Sequence, residues 1–200
     1  MAATVLIIAC GALARELVAL QRLNRWTRVR IRGLPHRLHN TPHRIAGVVR
    51  AAIERDRDRY TQIFVAYADC GTWGELDRVL DEFGIERLPG THCYEFLSGG
   101  DTFGRLVDEE PGTFYLTDFL ARNFERVVRK GLGLDRHPEL LPQYFGRYRR
   151  LVFLTQSGSA ELRDLARSHA DYLGLEYVER HTGLAPLNRA LEMHAVDWRS

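Results

Sequence analysis

Three cysteines stand at comparable places in this chain of 200 residues. Cys10 closes the apolar run VLIIAC and is followed by Gly11. Cys70 closes IFVAYADC and is followed by Gly71, and Cys93 lies in THCYEF just after IERLPG. In an α/β protein the carboxyl ends of parallel strands collect on one edge of the sheet, where ligands bind. Three thiols from distant points of the sequence therefore have a route to one site. Such a trio could hold zinc or an iron–sulfur (4Fe–4S) cluster and leave one coordination position open. The gaps between them are far longer than in a zinc finger, so convergence rests on the fold.

Cys10 and Cys70 each precede a glycine and then a helical pattern. That context predicts backbone N–H groups and the positive end of a helix dipole near both sulfurs, and with them thiolate character. His39 falls in a loop after a second strand and is the candidate for a fourth ligand or a general acid–base. His36 and His43 read as loop residues bonded locally, and His92 is a ligand, a base or merely a neighbour of Cys93. Glu16, six residues after Cys10, is placed to orient a substrate or a ligand histidine. Asp69, Asp77 and Glu95 are further carboxylates nearby, and Asp69 and Glu95 read as solvent-facing. The polar turn TQSGSAE sets Ser157, Gly158 and Ser159 at a helix N-terminus, a place for the phosphate or carboxylate of a cofactor. It has neither a P-loop lysine nor a three-glycine dinucleotide fingerprint, and no nucleophile elbow occurs elsewhere.

The elements that must position these residues alternate. Strands are expected at Val5–Ala9, Val29–Gly33, Gln62–Tyr67, Ile85–Leu88, Thr113–Leu116, Arg150–Thr155 and Glu176–Glu179. Helices are expected after Gly11, after Thr41-Pro42, over Trp73–Phe83 with Gly84 as cap, and over His92–Leu97. Further helices follow Thr117 and Pro138, then span Ser159–Leu173 with Gly174 as cap, and Leu187–His194. The pair Gly99-Gly100 reads as a helix stop. This order predicts an α/β fold of Rossmann-like type: one domain over residues 1–200, with a mostly parallel sheet and helices on both faces.

Composition excludes several classes. Hydrophobic residues make up 45% and charged residues 27%, which suits a globular chain. The net charge of +2 argues against a dedicated nucleic-acid binder. All but one of the 28 basic residues are arginine, Lys130 being the exception; the bias reads as base composition of the gene rather than phosphate recognition. No apolar run approaches the ~20 residues that span a bilayer. The start, MAATVLIIAC, lacks a basic leader region and reads as a first strand rather than a signal peptide. An odd number of cysteines excludes a full disulfide framework, and a reducing cytoplasm is the expected compartment.

The strings IIACGALARE, LHNTPHRI, VAYADCG, HCYEFLSGG and GTFYLTDFL occur in that order, followed by LVFLTQSGSAELRDLARSHADYLGLEYVERHTGL. Over nearly the whole chain they resemble an uncharacterised family known only as domain of unknown function 1638. The resemblance implies the same positions: Cys10, Glu16, His39, Cys70 and Cys93, with His92 beside the last. Two residues depart from its pattern. Ala68 stands where a glycine is expected before Asp-Cys-Gly, and THC stands where DC is commoner. The resemblance also implies a setting in corrinoid-dependent methyl transfer. A looser, architectural similarity links the trio to quinolinate synthase and the diphthamide radical enzymes, which gather three cysteines around a 4Fe–4S cluster with one open iron; no motif string aligns.

Three functions are thus expected of this sequence. The first is a metal-binding protein, an enzyme of transferase or lyase type acting on a small molecule, with Cys10, Cys70 and Cys93 as ligands and His39 and Glu16 at the reacting centre. The second is a non-catalytic metal or cofactor carrier for a corrinoid methyltransferase partner. The third is a metal-free thiol enzyme with Cys10 or Cys70 as nucleophile and His39 as base.

Overall fold

The run Val5–Cys10 forms β1, and all six of its residues are buried, as in a central strand covered on both faces. The computed structural model describes residues 4–198, so the first three residues of MAATVLIIAC lie outside it. A 3-10 turn (Gly11–Leu13) leads from β1 into α1 (Ala14–Leu23), then β2 (Val29–Leu34). Two further 3-10 turns, His36–Asn40 and Pro42–Arg44, open α2 (Ile45–Asp56). Next come β3 (Gln62–Ala66), α3 (Glu75–Phe83), α4 (Cys93–Ser98) and α5 (Gly100–Glu109). The rest of the chain forms β4 (Thr113–Thr117), α6 (Asp118–Phe124), α7 (Leu141–Phe145), β5 (Arg150–Thr155), α8 (Ala160–Leu173), β6 (Glu176–His181) and α9 (Ala185–Glu192).

The expected α/β architecture is present, and every strand pairing in the two sheets is parallel. The strands divide between two three-stranded sheets, and the chain divides into two compact units. The first unit is the chain up to Phe96 together with Leu187 onward; the second is Leu97–Pro186.

In the first unit the sheet order is β2-β1-β3. Val5 is level with Val29 on one side and Gln62 on the other. Its core comprises β1, the inward faces of α1 and α2 (Leu17, Leu20, Ile45, Val49, Ile53) and Phe64. The C-terminal segment packs back onto this unit: Trp198 stacks on Trp26 at 5.1 Å and meets Phe64 edge-on. The segment Ile85–Leu88, expected as a strand, makes a single bridge, Val65 with Arg87.

In the second unit the order is β4-β5-β6. The core gathers Leu116, Phe124, Leu151, Phe153, Leu162 and Ala166. Thr117 and Ser159 cap α6 and α8, accepting from the backbone N–H of Leu120 and Leu162. The helix α5 was not expected: Gly99 ends α4, but Gly100 starts a new amphipathic turn that buries Leu106.

Candidate functional site

Three neighbouring strand ends of the first unit, and the edge segment bridged to β3, deliver the chemistry-bearing residues. β2 runs into the turn that carries His39, and β1 ends at Cys10. Ala9 pairs with Ala66, the last residue of β3, so Tyr67 follows that strand as Cys10 follows Ala9, and Cys70 comes three residues on. The edge segment beside β3 leads to Cys93 at the start of α4. Its backbone is tied to the Cys70 loop: the N–H groups of Asp69 and Cys70 donate to Gly90 O (3.1 Å) and Thr91 O (2.9 Å).

The loops that bear Cys70 and Cys93 are each built round a carboxylate. Asp69 accepts from the backbone N–H of Gly71 (3.2 Å), Trp73 (3.2 Å) and Gly74 (2.9 Å) and from the Thr72 hydroxyl (2.7 Å). These bonds hold a run of left-handed residues, Cys70 (φ 52°), Gly71 (φ 82°), Trp73 (φ 54°) and Gly74 (φ 81°). Positive φ is costly for a residue with a Cβ and persists where surrounding bonds enforce it. The same bonds delay α3 to Glu75, two residues beyond the start expected at Trp73. Burial alone would raise the Asp69 pKa, but the donors from Thr72, Gly74, Trp73 and Gly71 together hold it below the usual value. Glu95 does similar work ahead of Cys93, accepting from Thr91 N–H (2.7 Å), the Thr91 hydroxyl (2.6 Å) and His92 N–H (3.1 Å). Both carboxylates face their own loops rather than solvent alone. Asp77 forms a two-pronged pair with Arg87, which also donates to Leu88 O and so braces the edge segment.

The three thiols share one electrostatic neighbourhood. Burial pushes the Cys10 pKa up to about 11, against the Ala12 N–H that its sulfur accepts at 3.3 Å. Burial, then the charge of Cys10, pushes Cys70 up to about 12. Cys93 is raised well above its usual value by burial and then by Cys70 and Cys10. The thiolate character expected from the strand–CG–helix context is therefore corrected. The N–H group is present at Cys10, but desolvation outweighs it. At Cys70 the N-terminus of α3 lies five residues away, beyond the left-handed run.

His39 stands beside Cys10, its Nδ1 3.8 Å from the sulfur and 3.0 Å from the His36 carbonyl. A carbonyl can only accept, so the neutral ring carries its hydrogen on Nδ1 and keeps the Nε2 lone pair. Burial lowers its pKa and keeps the ring neutral. The ring lies nearly parallel to that of Tyr67, with centroids 6.3 Å apart. Tyr67 is fully buried and carries a raised pKa, set first by burial and then by the charges of Cys10 and Cys70. Sequence reasoning missed this residue. Glu16 is buried, not a solvated helix residue, and its charge acts on both Cys10 and Cys93. His36 contributes its carbonyl, while His43 and His92 are exposed. Ser157, Gly158 and Ser159 belong to the second unit.

A soft donor set of three thiols suits zinc or iron–sulfur centres. Cys10 is buried and Cys70 and Cys93 are half-buried; desolvated sulfurs resist ionising singly, so a cation among them is what would keep all three deprotonated. Among the described residues, no group of three or more His, Cys, Asp or Glu side chains is gathered to hold a single metal ion. The thiol chemistry makes a prediction. In metal-free protein at neutral pH, Cys70 is expected to react with an alkylating reagent about a thousandfold more slowly than an unperturbed cysteine, its pKa being raised from 9.0 to about 12. The rate should climb as pH rises toward 12, as read by mass spectrometry of the modified peptide. A rate at pH 7 equal to that of a free cysteine standard would contradict the half-buried, uncompensated state.

No helix among the described residues is long and apolar enough to cross a membrane. Comparison with known families finds one whose description is "Protein of unknown function (DUF1638)", matching residues 33–191. The matched stretch includes His39, Cys70, Cys93 and Ser157–Ser159, and it begins after Cys10 and Glu16. No curated protein and no solved structure matches the chain.

Proposed function

The chain belongs to this DUF1638 family, and from that premise we propose that Cys10, Cys70 and Cys93 are the ligands of a metal centre, a 4Fe–4S cluster or zinc, with one position open. The observation that carries the reading is the delivery of three thiols by two neighbouring strand ends and the edge segment beside them, close enough that Cys10 acts on Cys70 and both act on Cys93. Two carboxylate-built loops hold two of them in place. Zinc draws its ligands round one point, whereas a cluster takes thiolates on separate irons. The donor set suits either centre, and both belong to the proposal.

When bound, such a centre supplies a Lewis acid for group transfer or for a lyase reaction on a hydroxyl or carboxylate substrate. Methyl transfer, the setting the sequence resemblance implies, falls within that range. His39 is held neutral with its Nδ1–H on the His36 carbonyl, so its Nε2 is free to bind or to take a proton. Glu16 adds negative charge beside Cys10 and Cys93, which strengthens the preference for a cation there. The three free cysteines suit a reducing compartment, and a cytoplasmic location is part of the proposal. A metal-free Cys10–His39 nucleophile pair is the weaker reading. Cys10 stays protonated at neutral pH, and the nitrogen facing it already carries a hydrogen.

The test is elemental analysis and an absorption spectrum on protein purified without oxygen. About four irons with broad visible absorption, or about one zinc, is expected per chain. Colourless, metal-free protein that stays folded and takes up neither metal would overturn the proposal.

A further inference from the structure

The carboxyl edge of the second sheet carries its own buried polar cluster. Asp118 follows β4, Gln156 and Ser157 follow β5, and Thr182 follows β6. Asp118 is 2% exposed and Gln156 6%. Each is pinned by one end of its side chain. Asp118 Oδ2 accepts from Ser157 N–H at 2.9 Å, and Gln156 Nε2 donates to Leu154 O at 2.9 Å and to the Thr182 hydroxyl at 3.3 Å. The other end of each, Asp118 Oδ1 and Gln156 Oε1, is buried without a hydrogen-bond partner. The glutamine cannot be turned round to exchange its ends, because that would set its oxygen against the Leu154 carbonyl. Both unpaired atoms are therefore acceptors, one on Gln156 and one on the carboxylate that takes the N–H of the next residue, Ser157.

Buried polar atoms are nearly always paired, and each exception needs an explanation. An anion is the wrong partner here. Four of the N–H groups at this turn are already taken: Ser157 by Asp118, Gly158 by the Thr155 hydroxyl (3.0 Å), Ser159 by the Ser157 hydroxyl (3.3 Å) and Leu162 by the Ser159 hydroxyl (3.5 Å). Arg122 donates to the backbone carbonyl of Asp118, and the His181 ring packs against Gly158. What the two oxygens lack is a donor, and one of them belongs to a carboxylate. The turn that follows Gln156 is held by longer bonds at Ser159, and Ser157 is exposed.

We propose that this edge of the second sheet is a binding site for a small molecule bearing a cationic nitrogen, an ammonium or guanidinium group, received by Asp118 Oδ1 and Gln156 Oε1. The site is separate from the cysteine reading and stands whether or not that reading does. It replaces the anion expected at Ser157–Ser159 with a cation.

The test is calorimetric titration of the whole chain with agmatine, which carries both cationic groups, and with butylammonium. Butanol serves as the neutral counterpart and inorganic phosphate as the anion. Saturable binding of a cationic probe, none of butanol, and a loss of about tenfold or more in Asp118→Asn and Gln156→Met are expected. Should either variant fail to fold, the amide resonances of Ser157 and Gly158 in the wild type decide instead: butylammonium should move them and butanol should not. Absence of saturable cation binding, cation binding that both folded variants retain, or phosphate binding at these residues would overturn the proposal.

Discussion

Replacing Asp69 with alanine is expected to destabilise the protein by about 2–4 kcal/mol and to release the Cys70 loop at the same time. The carboxylate satisfies three backbone N–H groups and a hydroxyl. Hydrogen bonds to a charged group are the stronger kind, and the donors left behind are partly buried. The loop also keeps Cys70 and Trp73 at positive φ, a conformation with no local support once the acceptor is gone. Asp69→Asn should be nearly as damaging, since its NH₂ would face donors. The pH dependence has a definite sign. The Asp69 pKa is depressed in the folded protein, so its contribution is complete above the ordinary carboxyl range and is lost as pH falls through the folded value. Urea unfolding of the wild type and both variants, at neutral pH and near pH 3, measures this. Equal stabilities at neutral pH would show that Asp69 does not organise the loop.

The second large effect is expected at Gly11. A Cβ there would lie 2.6 Å from the carbonyl oxygen of Leu34. The obstacle is backbone of the neighbouring strand, level with Cys10 in the register, so no side chain can turn aside to make room. Gly11→Ala should cost about 2–4 kcal/mol and push the turn that carries His39 away from Cys10. Gly47, exposed in α2 with nothing within 4 Å of an added Cβ, is the control. Gly47→Ala should stabilise by about 0.4–1 kcal/mol. The pair separates a steric requirement from a general dislike of substitution. Equal responses at the two positions would mean that the approach of β1 to the end of β2 does not matter.

What could be read from the chain follows its periodicities. β1, β5, α3 and α8 announce themselves through unbroken apolar runs or amphipathic spacing, and their bounds differ from expectation by two residues at most. The errors fall where a tertiary bond overrides a local signal. Gly99-Gly100 reads as a stop, yet Gly100 starts α5 because the chain turns once at Gly99 and resumes. Ile85–Leu88 has strand composition but only one bridging residue, since Glu86 and Leu88 both bond to Val65 of β3 and the chain beyond them bonds to the Cys70 loop. At the site, the Cys-Gly pairs were legible because a strand end followed by glycine has a mechanical meaning. Asp69 was not recognised as an organiser, although DCGTWG carries the signal: an acceptor followed by glycines two and five residues on. Tyr67 had no signal beyond its place at the end of β3. The charge state of the thiols was not legible at all. It depends on burial, which spacing does not report, and the N–H at Cys10 proved the smaller of two opposed effects.

The central claim is that three thiols act as one ligand set. It is tested most directly by the metal-to-protein ratio of the chain purified without oxygen and loaded in parallel with iron plus sulfide or with zinc. The comparison is between the wild type and Cys10→Ala, Cys70→Ala and Cys93→Ala, each verified as folded by circular dichroism. A shared centre predicts a stoichiometric metal content in the wild type and a fall to roughly a tenth or less in every variant, because each thiolate removed leaves too few ligands to keep the others deprotonated. Variants that keep the wild-type ratio while folded would show that the cysteines are packed as small apolar side chains and that no shared centre exists.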